Sequence, residues 1–215
     1  GLVLGDDGQE LSALQQILAS GPDLRDQLQV RFAGWVWNWV AFRLLGVSET
    51  TLLLPTWLLS SSFGVLAYAL LVRWSYGRSR AFAGGLLVAT APFEVVLGTL
   101  RTNDLYLGGA AALGFLALVV LEDRPVLQGV LLALCAWFGF YVKLFAVYAL
   151  PALGLYWLAG RRWRSAAAFV VTSAIAHGAT LALWKARTGV FLPFIATHAA
   201  NYPVNLIHLW NGGPE

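Results

Sequence analysis

RTNDLYLGGAAALGFLALVVLEDRPVLQGVLLALCAWFGFYVK, residues 101–143, is two apolar runs of similar length around one short charged turn. The first run, 104–121, opens on Asp104, and the second, 126–142, stops against Lys143. Between them stand Glu122, Asp123, Arg124 and Pro125, a group that is costly to hold in hydrocarbon. Wound as α-helices, runs of this length span roughly 26 Å, close to the thickness of a hydrocarbon core. Backbone groups find no water there, so each run must satisfy its own hydrogen bonds as a helix. The stretch reads as a membrane helical hairpin.

Further apolar runs lie on both sides, at 50–73, 80–98, 144–160 and 165–184. Across 215 residues the chain is 59% hydrophobic and 12% charged, with a mean hydropathy of +0.68. That balance excludes an ordinary soluble domain. The expected fold is all-α, a polytopic integral membrane helix bundle of about six transmembrane helices. Amphipathic interfacial helices are expected ahead of it. Leu11, Leu14, Ile17 and Leu18 recur at helical spacing before Gly21 and Pro22, with that helix starting near Gln9. Trp35, Trp39, Phe42 and Gly46 form an aromatic stripe on a second short helix, either lying in the headgroup plane or serving as an interface belt. Small residues at Ala83, Gly84, Gly85 and at Gly108, Gly109, Ala110, Gly114 mark where helices should approach closely. The chain divides into an outer loop at 1–49, the bundle at 50–184 and a second outer loop at 185–215.

Lysine and arginine orient the bundle. Arg73, Arg78, Arg80, Arg124, Arg161, Arg162 and Arg164 fall on one face, whereas the short turns of the other carry only Arg101 and Lys143, so the first face is expected to be cytoplasmic. Of 11 acidic residues, only Glu122 and Asp123 then lie inside; Asp6, Asp7, Glu10, Asp23, Asp26, Glu49, Glu94, Asp104 and Glu215 gather outside. Both ends of the chain lie outside as well. With no Met and no signal peptide ahead of the first loop, an earlier helix is expected before Gly1, making the chain part of a larger single membrane domain. The net charge of +3 is arginine obeying the inside rule and implies no nucleic acid. Cys135, alone and in mid-span, can form no internal disulfide.

Three polar groups carry chemical interest. Asp6 and Asp7 stand in a turn-like Gly-Asp-Asp-Gly, exposed as a pair or with Asp7 capping the following helix. Arg101 to Asp104 make a very short outer turn, where Arg101 can pair with Asp104 and share itself with Glu94 seven residues earlier, as a functional group or as a structural salt bridge. Lys143 either snorkels to the interface or serves as a fixed counter-ion for a lipid phosphate. No HExxH spacing and no CxxC pair occurs, so a divalent metal has no support in the sequence. GxGxxG, the P-loop and the nucleophile elbow are also missing, which argues against a soluble nucleotide donor.

The order of these features resembles that of the GT-C glycosyltransferases. It runs from the acidic pair to an aromatic stretch ending in Leu-Leu-Gly-Val-Ser-Glu at 44–49, then Arg-Ser-Arg-Ala at 78–81, Ala-Thr-Ala-Pro-Phe at 89–93, Arg-Thr-Asn-Asp at 101–104 and Tyr-Val-Lys at 141–143. Within that superfamily it is most similar to the branch of protein O-mannosyltransferases and lipid A aminoarabinose transferases. The likeness covers nearly the whole chain and corresponds to roughly the first half of a full-length member without its opening helix. It implies an inverting membrane glycosyltransferase, moving a hexosyl or pentosyl group from a polyprenyl-phosphate donor lipid to a glycan, lipid or protein acceptor on the outer face. By motif match Asp6 or Asp7 is the general base, Asp104 the acidic residue of the next outer turn and Lys143 the lysine near the donor phosphate. Glu94 and Arg101 join the substrate-binding set, and His198, Asn201 and Tyr202 are candidates for a lid over it. The expected setting is a bacterial or archaeal plasma membrane, among membrane lipids, and the sequence points to no particular cofactor. Two rival classes are a secondary transporter, which should place polar residues near the midplane and show a repeat, and a non-enzymatic assembly subunit, which needs no acidic cluster. If the enzymatic reading holds, Asp6 or Asp7, Glu94, Asp104 and Lys143 should converge on one outward-facing cavity.

Overall fold

Ser48 starts the first long helix by accepting a hydrogen bond from the Thr51 backbone N–H at 3.1 Å, and Glu49 puts a carboxylate in the first turn, where the helix dipole favours it. The computed structural model describes residues 6–23, 29, 31–91, 103–142 and 149–191, with the side chains of 6–11 and 103 outside that description. Among the described residues there are eight helices and no strand. They are α1 Asp6–Ser20, α2 Phe32–Leu45, α3 Glu49–Arg73, α4 Arg78–Ala89, α5 Asn103–Val120, α6 Pro125–Val142, α7 Leu150–Ala159 and α8 Trp163–Thr188. The protein is an all-α membrane helix bundle. By length and composition α3, α6 and α8 can each cross a membrane, and α5 is a slightly shorter apolar helix. The parts of the runs 80–98 and 144–160 that flank α4 and α7 include residues outside the description.

Burying apolar surface drives little association in lipid, so close backbone approach has to hold these helices together. At the α3–α4 crossing, a Cβ on Gly64 would lie 2.8 Å from Ala89 Cβ, and one on Gly85 would lie 2.7 Å from the Gly64 carbonyl oxygen. Gly109 admits Leu59 of α3 against α5, where a Cβ would come within 2.8 Å of Leu59 Cδ1. The most extensive packing joins α6 to α8. There a Cβ on Gly129 would stand 2.2 Å from the Ser165 carbonyl oxygen. Beside it Gln128, fully buried, donates to the Leu118 carbonyl at 2.9 Å and accepts from Ser165 Oγ at 3.0 Å. Ser165 Oγ in turn accepts from Trp157 Nε1 at 3.2 Å, so one side-chain chain ties α5, α6, α7 and α8. The opposite faces carry large apolar groups such as Leu87, Leu155 and Ile175, left exposed as lipid contact requires.

One local reading needs correction. The first helix begins at Asp6 rather than near Gln9, so Asp6 and Asp7 occupy its first turn and not a turn ahead of it. Acidic side chains suit that position because the unpaired N–H groups there are electropositive. On α2 the buried face is made of Ala33, Gly34, Asn38, Ala41 and Phe42, with Trp35 and Trp39 half-buried beside it. Small residues win that face because α2 lies directly against α3 and α6. Asn38 Nδ2 donates to the Leu52 carbonyl at 2.6 Å, next to the point where Pro55 removes an N–H from the α3 ladder.

The turns after α3, α5 and α7 lie at one end of the bundle. Trp74 packs edge-on to Phe115 with ring centroids 5.8 Å apart, and Arg162 pairs with Glu122. That hydrogen bond, with the charges of Arg162 and Arg73, holds the Glu122 carboxyl below its usual range. The same bond to Glu122 holds Arg162 above its own.

Candidate functional site

At the opposite end, the start of α5, the end of α6, the start of α2 and the end of α8 meet in one buried cluster of Ala33, Tyr106, Tyr141, Val142 and Trp184. Aromatic contacts set its geometry. Phe32 lies 5.0 Å from Tyr141 and 5.5 Å from Trp137, and Tyr141 meets Trp184 edge-on at 5.6 Å. Tyr141 Oη is 3.3 Å from His177 Nδ1, while Trp137 Nε1 donates to Thr180 Oγ1 at 3.2 Å. These polar links tie α6 to α8 within an apolar wall.

Asp104 rises from this cluster. It sits exposed in the first turn of α5, followed directly by buried Leu105 and Tyr106. Val142, fully buried in the same cluster, is the residue before Lys143. α5 and α6 therefore bring Asp104 and Val142 to one end of the bundle. α1 is fastened nearby through Gln29. The Gln29 side chain accepts from the Asp23 N–H at 2.6 Å and donates to Gln16 Oε1 at 3.1 Å, and the Gln29 backbone carbonyl accepts from Trp35 Nε1 at 2.8 Å. Leu14 and Ile17 of α1 are fully buried, as their spacing requires.

Two grooves flank Trp137 and Leu134, which line both. One, of about 790 Å³, is almost wholly apolar and runs between α2, α3, α5 and α6, lined by Trp37, Ala41, Leu58, Tyr106 and Gly109. Tyr106 belongs both to this groove and to the cluster beneath Asp104, so the groove reaches the helix ends just described. The other, of about 840 Å³, carries charge as well, with Asp23, Trp35, Thr180, Trp184 and Arg187 on its walls. Among the described residues no three of His, Cys, Asp and Glu come together as a metal-binding group.

A family model for dolichyl-phosphate-mannose-protein mannosyltransferases matches residues 32–184. The chain belongs to that family. It is a membrane glycosyltransferase of the GT-C kind. No curated protein and no solved structure matches it. The matched stretch runs from the start of α2 to the end of α8 and contains both apolar halves of the hairpin that opens on Asp104.

Of the expected site residues, Asp104 has a described side chain, and the backbones of Asp6 and Asp7 are placed in α1. The side chains of Asp6 and Asp7, and Glu94, Arg101, Lys143, His198, Asn201 and Tyr202 altogether, lie outside the described residues. Several polar residues of this end escaped the sequence reading. His177 was passed over because no second ligand stands at metal spacing, although an ionisable ring inside a span is itself a signal. Gln29, Asn38 and Thr180 gave no signal, since each matters only through a partner far along the chain.

Proposed function

We propose that this family member takes its sugar from a polyprenyl-phosphate lipid and transfers it, with inversion, to an acceptor on the outer face of the membrane. The observation that carries the reading is the apolar groove ending at Tyr106. An isoprenoid chain lying in it contacts the apolar side chains of α2, α3, α5 and α6. Its phosphate then stands at the bundle end that bears Asp104 and Val142, the residue that precedes Lys143 in the sequence.

The chemistry follows from what that position needs. A carboxylate of the first loop, Asp6 or Asp7, takes the proton of an acceptor hydroxyl as its oxygen bonds to the anomeric carbon. The bond between that carbon and the phosphate oxygen breaks, and the electron pair leaves with the polyprenyl phosphate. Lys143 and Arg101 meet the growing phosphate charge, where fixed positive partners contribute most. Asp104 and Glu94 orient the acceptor and Arg101, and His198, Asn201 and Tyr202 close over the substrates. The arginine-rich end faces the cytoplasm of a bacterial or archaeal plasma membrane, in keeping with the positive-inside rule.

Membranes holding the protein, incubated with radiolabelled polyprenyl-phosphate sugars, test the reading. Wild type should consume at least one such donor. Asp6→Asn or Asp7→Asn should lower transfer about 10²- to 10⁴-fold, as loss of a general base does, with the protein still in the membrane. Full activity in both single variants removes the base assignment, and failure to consume any polyprenyl-phosphate sugar removes the donor class.

A further inference from the structure

At the arginine-rich end, the turns after α5 and α7 border an open cavity of about 510 Å³ lined by Glu122, Arg161, Arg162, Trp163 and Arg164. One wall of it is held in place. Arg162 is paired with Glu122 and lies over the Tyr156 ring, 4.9 Å from its centroid. Gly160 leaves the room this requires, since a Cβ there would come within 2.8 Å of Arg162 Nε. Glu122 is thus engaged with Arg162, and among the described residues neither Arg161 nor Arg164 has a carboxylate partner. Arg161 adopts φ 51, a left-handed conformation uncommon outside glycine, in the tight turn that delivers Arg161 and Arg164 to one concavity.

Positive charge at this end is what membrane topology asks of any such protein, but topology asks only that the arginines be there. Here three arginines of one turn line a single concavity, whose other wall is Glu122 and Pro125 of the neighbouring turn. Guanidinium groups match phosphate oxygens in pairs. Pro125 on the cavity wall and the exposed ring of Trp163 add apolar surface beside them. The adjoining helices continue that surface, because Leu155, Leu158 and Val170 are exposed along α7 and α8. A soluble phosphate compound has no use for such a continuation, whereas acyl chains do.

We propose that this cavity binds the phosphate headgroup of an anionic membrane lipid, at the end of the bundle opposite the transfer chemistry. Basic pockets between transmembrane helices are recognised sites for such headgroups.

The test uses the complete protein in nanodiscs of phosphatidylglycerol and phosphatidylcholine, with bound lipid titrated by native mass spectrometry. Phosphatidylglycerol should be retained in preference. At about fivefold per arginine near an anionic surface, Arg161→Gln with Arg164→Gln should weaken its retention about 30-fold. Arg78→Gln with Arg80→Gln removes the same charge from the same end outside the cavity and should change retention much less, because solvent and salt screen exposed charges that do not touch the bound headgroup. Equal losses in the two double variants, or no headgroup preference in the wild type, overturn the proposal. So does pyrophosphate that binds in pure phosphatidylcholine discs, depends on Arg161 and Arg164, and displaces phosphatidylglycerol, because the occupant is then soluble. Should the double variant at Arg161 and Arg164 fail to reconstitute, the single variants carry the test at about fivefold each.

Discussion

Gly129→Ala places one methyl group at the tightest helix contact in the bundle. The new Cβ would sit 2.2 Å from the Ser165 carbonyl oxygen and 2.8 Å from Ala168 Cβ, against an ordinary contact of at least 3.4 Å, so α6 and α8 must part by about 1 Å. Backbone cannot swing aside as a long side chain can. Overpacking of this kind costs about 1–3 kcal/mol. The same movement stretches the 3.0 Å bond from Ser165 Oγ to Gln128 beyond hydrogen-bond range. Losing an interhelical hydrogen bond in lipid adds about 0.6–2 kcal/mol. Against this stands the helix preference of alanine over glycine, about 0.8–1 kcal/mol. The contact terms win, and the net expectation is a loss of about 1–4 kcal/mol. Gly154→Ala is the control, because a Cβ there meets nothing within 4 Å and only the propensity gain remains. Reversible unfolding of the reconstituted protein in mixed micelles, followed by circular dichroism, measures both. A Gly129→Ala protein as stable as wild type, with Gly154→Ala behaving as expected, would refute the claim that this glycine sets the spacing of α6 and α8.

Three other outcomes are expected. Lys143→Ala should weaken binding of a polyprenyl-phosphate donor about tenfold or more, the size of one charge-assisted hydrogen bond, and unchanged donor affinity by titration removes it from the site. Leu113→Trp, at a half-exposed position on the wall of the apolar groove, should raise the KM for the donor while leaving that for the acceptor unchanged; equal changes in both count against isoprenoid binding there. The Glu122 carboxyl is held below the ordinary 4.5 by Arg162, so its contribution to stability is present at neutral pH and is lost as pH falls through the lowered folded-state value. Melting temperatures of wild type and Glu122→Gln should therefore differ at pH 7 and converge as the pH falls through the lowered folded-state value.

Much of the architecture could be read along the chain. The runs at 50–73, 104–121, 126–142 and 165–184 became α3, α5, α6 and α8 with ends shifted by a few residues, because hydrocarbon thickness and backbone satisfaction are local demands. Gly85 and Gly109 were legible as contact points, since they stand in clusters of small residues. Gly129 was not, although its contact is tighter. It is isolated in the sequence, and only the rotation of α6 against α8 puts the Ser165 carbonyl opposite it. The face that α2 buries is likewise set by packing: the space available between α3 and α6 admits Ala33, Gly34 and Asn38.

The candidate site divides along the same line. Composition establishes a membrane helix bundle, because transfer from water to lipid acts on each segment independently. Which helix ends meet is a matter of packing. The cluster that gathers Tyr106, Tyr141, Val142 and Trp184 under Asp104, the apolar groove that runs up to it and the arginine cavity at the far end all depend on how helices rotate about their axes. That rotation is decided by glycines, buried amides and ring contacts between residues distant in the chain, and no local period records it.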